Sequence, residues 1–126
     1  MNTSLVLAAV GLALVGAVHS VLGEILVFRS LRLRGVVPTG GQPVLREQHV
    51  RILWGSWHLV TVLGWALSAL LWRLGTVPVD AGLGAWVADV AAGATLACGL
   101  LVFFATEGRH PAWVALMLLA VVIWWR

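Results

Sequence analysis

The chain has 126 residues, 61% of them hydrophobic, a mean hydropathy of +1.00 and only 10% charged residues. A soluble domain of this length could not cover its surface with so few charges, since about a quarter of residues in such domains are charged. Nucleic-acid binding is excluded as well: the net charge is +3 and the eight basic residues, all arginine, lie beside apolar runs instead of forming a basic face.

The first apolar run, Ser4 to Phe28, is long enough for a bilayer core, which takes about 20 helical residues. No Lys or Arg precedes residue 29, so the run is expected to be a retained span and not a secretory leader. It carries His19, Ser20 and Glu24 in the stretch VHSVLGE. Segment 29–51 is polar, basic at both ends and punctuated by Pro38, Gly40, Gly41 and Pro43. A short interfacial helix is expected around Val44–Val50.

The second span is expected over Ile52–Leu74, with Trp54, His58, Thr61 and Trp65 along it. The third covers about Leu83 to Ala105 and carries Asp89. The fourth, Pro111 to Trp125, has fifteen residues, short for a crossing, and ends in tryptophans suited to an interface. None of the runs alternates with period two, so barrel strands are not expected. The fold class is therefore all-α: one domain, 1–126, forming an integral membrane four-helix transmembrane bundle with spans at 4–28, 52–74, 83–105 and 111–125.

Six arginines lie in segments 29–51 and 106–110, against Arg73 and Arg126 on the other side. The excess of positive charge places those two loops in the cytoplasm and both termini outside, as in a bacterial-type inner membrane. Cys98 is the only cysteine, which excludes an intrachain disulfide.

Ionisable groups at membrane depth are costly and usually face a bundle interior or a water-filled cavity. Counting from the loop at about 1.5 Å per residue puts His58 roughly 10 Å and His19 roughly 13 Å inside the same boundary. His49, His110, Glu47 and Glu107 lie at that rim. This His/Glu cluster is the expected functional centre, and three chemistries suit it.

In the first, His19 and His58 ligate one b-type haem, with Trp54 and Trp65 packing the ring and Arg29, Arg46 or Arg51 meeting the propionates. That arrangement resembles the general plan of small membrane b-type cytochromes. In the second, His19, His58 and His110 with Glu24 or Glu107 hold a divalent metal ion. On a straight helix, however, His19 and Glu24 point about 140° apart. In the third, Glu24 handles protons as part of a small proton-coupled transporter. In size and span count the chain is similar to the small multidrug-resistance transporters and dual-topology fluoride channels, without their motifs.

The structural alternative is that His19 and His58 hydrogen-bond each other or a nearby Ser or Thr. The corresponding functional alternative is a non-catalytic accessory or assembly subunit. Eight tryptophans and glycine-lined faces suit self-association or a larger membrane partner. Asp89 is expected to pair with Arg73. Ser20 and His19, adjacent on a helix, do not form a nucleophile–base pair, and there is no phosphate loop or GxSxG elbow.

Overall fold

A computed structural model describes residues 1–78, 80–105, 108 and 110–126. The expected roles of Glu107 and Arg109 lie outside the described residues. The protein is all-helical, with no strand among the described residues. Helix α1 covers Thr3–Gly23 and runs into a π-helical segment, Glu24–Phe28. Helix α2 covers Glu47–Thr76, α3 Ala81–Ala105 and α4 Ala112–Trp124. Among the described residues, three segments are long and apolar enough to cross a membrane: Thr3–Phe28, Glu47–Thr76 and Ala81–Phe104. The protein is an integral membrane protein.

Helix α4 has 13 residues, about 20 Å at 1.5 Å per residue, against a hydrocarbon core of about 30 Å. The expected fourth span over 111–125 corresponds to this shorter apolar helix, which local thinning of the bilayer accommodates. The separate interfacial helix expected around Val44–Val50 is not formed. Helix α2 begins at Glu47, where an acid in the first turn suits the helix dipole and the Glu47–Arg51 pair bridges one turn.

The chain divides into two compact units. One comprises Met1–Val15 and Trp65–Arg126, the other Gly16–Gly64. The four-helix bundle is realised in the first. Leu5, Ala8, Ala9 and Leu12 of α1 meet Leu71 of α2, Ala88, Ala91 and Ala92 of α3, and Ile123 of α4. Five of those nine are alanines, so the backbones approach closely, as membrane helices do without a hydrophobic drive between them. Side chains of α2 bind carbonyls of α1: Trp65 Nε1 donates to Ala13 O at 3.2 Å and Ser68 Oγ to Ala9 O at 2.6 Å. Helix starts are capped in the usual way, by Asn2 Oδ1 on Leu5 N–H and Asp80 Oδ1 on Leu83 N–H.

Asp89, expected to pair with Arg73, pairs instead with Arg126, whose Nη2 lies 2.7 Å from Asp89 Oδ1 and 2.9 Å from Ala85 O. Position explains the choice. Arg126 follows the end of α4 and reaches two groups one turn apart on α3, whereas Arg73 sits exposed in the last turn of α2. A cation there complements the helix dipole without any acid.

Candidate functional site

The second unit, Gly16–Gly64, holds most of the polar groups the sequence places at membrane depth. Its first wall is the end of α1. Backbone N–H of Arg29 donates to Glu24 O at 2.8 Å, the i to i+5 pattern of a π-turn. Such turns recur at functional sites because they re-aim side chains at the cost of regular helical bonding. Here the wide turn opens at Glu24 and closes with Phe28 almost wholly buried. Phe28 meets Trp57 edge-on at 5.6 Å between ring centroids and lies 6.2 Å from His58.

The opposing wall is the first half of α2. Trp54, Trp57, His58 and Thr61 recur three and four apart and share one face. Trp57 lies flat against the His19 ring, with centroids 4.4 Å apart and planes 8° apart. Its Nε1 donates to His19 O at 3.1 Å. Gly23 makes this possible, since a Cβ there would collide with the Trp57 indole nitrogen.

Around His58 the hydrogen bonds run one way. Thr61 Oγ1 donates to Gly16 O at 3.3 Å, because a carbonyl can only accept. A hydroxyl has one hydrogen, so the 2.9 Å bond between Ser20 and Thr61 has Ser20 as donor. Ser20 then has only lone pairs left for His58 Nδ1, 2.8 Å away. His58 Nδ1 therefore carries the hydrogen and donates. In the neutral ring, the other nitrogen, Nε2, is left with its lone pair. That atom is buried, makes no hydrogen bond, and stands 3.8 Å from Glu24 Oε1. Trp54 braces the ring edge-on at 4.9 Å.

Glu24 is the best-connected group. Arg32 Nη2 donates to both carboxylate oxygens, at 2.6 and 2.5 Å, and Trp54 Nε1 donates to Oε1 at 2.9 Å. Arg32 is itself fixed through Nε, which donates to Val36 O at 2.8 Å. That carbonyl is turned back by Gly35, whose φ of +73° lies in the left-handed region that glycine adopts freely. An open pocket of about 500 Å³ is lined by Glu24, Arg32, Gly35, Val36, Trp54 and His58.

The structure thus brings together Glu24, His58 and Trp54 from the expected set, with His19 stacked behind them. Trp54, expected to pack a cofactor ring, donates a hydrogen bond to the carboxylate. Trp65 belongs to the other unit and binds Ala13 O. His110 Nδ1 accepts the N–H of Ala112 at the start of α4, a local cap. No group of three His, Cys, Asp or Glu side chains among the described residues could hold a metal ion, which leaves the His19, His58, His110 and Glu24 set without a common centre. A haem between His19 and His58 would need both rings to face one flat slot. Instead His19 lies face to face with Trp57, and His58 Nε2 looks towards Glu24.

The expected bond from His58 to a nearby Ser or Thr is made with Ser20. Sequence reasoning did not assign Arg32 or Trp57 to the site, although Trp57 shares a helix face with Trp54 and Thr61. No family model, curated protein or solved structure matches the chain in the comparisons with known proteins.

Proposed function

We propose that this membrane protein takes up and passes protons at the His58–Glu24 pair. One observation carries the reading: the one-way relay Gly16–Thr61–Ser20 fixes hydrogen on His58 Nδ1 and leaves Nε2 as an acceptor 3.8 Å from a carboxylate. A proton arriving at Nε2 makes an imidazolium that already has an anion beside it and a hydrogen-bond acceptor behind it. Histidine suits this role because its neutral ring offers a lone pair on one nitrogen while the other holds a hydrogen. Arg32 and Trp54 hold the carboxylate in place, and the open pocket gives it access to water.

This reading is favoured over the haem and metal readings because it needs only the two groups that meet. The six-to-two arginine distribution supports a cytoplasmic position for segment 29–51, and hence for the pocket mouth at Gly35 and Val36, with both termini outside.

Proteoliposomes loaded with a pH-sensitive dye test the proposal. The intact protein is expected to dissipate an imposed pH gradient, with His58→Gln and Glu24→Gln at least tenfold slower. Variants as fast as the intact protein overturn the reading. An intact protein no faster than protein-free vesicles also overturns it, in favour of an accessory subunit.

A further inference from the structure

Segment 29–46 joins the π-turn to α2 and contains no regular helix. It folds back on itself: Leu31 O accepts N–H bonds from Thr39 at 3.2 Å and Gly40 at 2.7 Å. Both its ends are ends of membrane-crossing segments, Phe28 and Glu47. A folded segment tied at both ends to spans that return to the same face lies at the membrane surface.

The charge balance of the chain is concentrated here. Residues 16–64 hold five arginines, at 29, 32, 34, 46 and 51, against two acids, Glu24 and Glu47. The difference of +3 is the whole net charge of the protein, because the other three arginines are matched in number by Asp80, Asp89 and Glu107. Both acids of the unit are already paired, Glu24 with Arg32 and Glu47 with Arg51. Arg29, Arg34 and Arg46 are exposed and have no acidic partner among the described residues.

Between these arginines the same segment exposes large apolar side chains outside any span. Leu33 is 71% exposed, Val36 76% and Val44 87%. Alternating cations and aliphatic groups suit a surface that is anionic outside and hydrocarbon beneath. Arginine meets a phosphate with a planar, multidentate set of donors, and the aliphatic groups enter the acyl boundary.

We infer that segment 29–46 is a binding surface for anionic phospholipid, with Arg29, Arg34 and Arg46 on the headgroup phosphates and Leu33, Val36 and Val44 below them. The inference stands independently of proton transfer. Val36 belongs to both surfaces, since it also lines the pocket beside Glu24, so bound lipid lies at the pocket mouth.

Native mass spectrometry of the full-length protein in mixed micelles tests this. The micelles contain equal amounts of phosphatidylglycerol and phosphatidylcholine with the same acyl chains. The intact protein is expected to retain phosphatidylglycerol preferentially, and added salt weakens that preference. Each arginine near a charged surface contributes about fivefold, so Arg29→Gln/Arg34→Gln/Arg46→Gln should lose on the order of 100-fold of the preference. Circular dichroism checks that the triple variant keeps its helices, and Arg73→Gln serves as a control that retains the preference. Equal retention of both lipids by the intact protein overturns the inference. So does an undiminished preference in the folded triple variant, or equally tight capture of free glycerol phosphate, which would mean that no lipid is required.

Discussion

His58 Nδ1 lies 2.8 Å from Ser20 Oγ, and the direction of that bond is set two hydrogen bonds away, by the Gly16 carbonyl. Because Thr61 must donate to Gly16 O, Ser20 must donate to Thr61 and His58 must donate to Ser20. A backbone acceptor in α1 thereby decides which nitrogen of a ring on α2 is available to Glu24.

Such a chain should be cooperative. Ser20→Ala leaves His58 Nδ1 without an acceptor and is expected to destabilise the protein by about 1–3 kcal/mol. Thr61→Val removes the next link. A double-mutant cycle in detergent should give a coupling of about 0.5–3 kcal/mol between the two, read from thermal unfolding. Strict additivity would mean that the hydroxyls act separately.

The glycines of the second unit should respond in opposite directions. Gly23→Ala drives a methyl group into the Trp57 indole and is expected to cost about 1–3 kcal/mol by overpacking, with a change in tryptophan fluorescence. Gly55, on α2, has open space where its Cβ would stand. Gly55→Ala should stabilise by about 0.5–1 kcal/mol. Melting temperatures of the two variants in one detergent check both signs.

Gly35→Ala places a side chain at φ +73°, which costs about 1–2 kcal/mol. It should also disturb Val36 O and hence Arg32. The expected signature is a slowed proton flux that resembles Arg32→Gln and is not worsened by combining the two. An additive loss of flux in the double variant would separate the turn from the clamp.

The partner of Asp89 is open to a direct check. Asp89→Asn and Arg126→Gln should show a coupling of up to about 1 kcal/mol, the range for partly exposed pairs. Asp89→Asn and Arg73→Gln should show none. Unfolding of the single and double variants measures both.

What the sequence revealed, and what it did not, follows from the range of the forces involved. Hydropathy is a sum over many residues, so the first span at 4–28 and the third at 83–105 fall within a few residues of Thr3–Phe28 and Ala81–Ala105. Helical spacing likewise put Trp54 and Thr61 on the His58 face. The start of α2 was hidden because Glu47, His49 and Arg51 read as a polar loop, although Glu47 and Arg51 stand at the spacing of a helical ion pair. The π-turn left no trace in the apolar pattern, since Ile25, Leu26 and Val27 suit lipid in either kind of helix. Helical spacing did set Glu24 about 140° from His19, and the partners of Glu24 are Arg32 and Trp54. Arg32 was the least accessible of all, because its reach to Glu24 depends on the Gly35 turn and its bond to Val36 O. Asp89 was given the wrong arginine because depth alone cannot rank Arg73 against Arg126.

The most direct test of the central claim is the nitrogen-15 chemical shifts of the His58 ring, in the full-length protein labelled at histidine and held neutral at high pH. Hydrogen on Nδ1 and an unprotonated Nε2 are expected, with the pattern lost in Ser20→Ala. Hydrogen on Nε2 in the intact protein would contradict it, because His58 would then have no lone pair to offer beside Glu24.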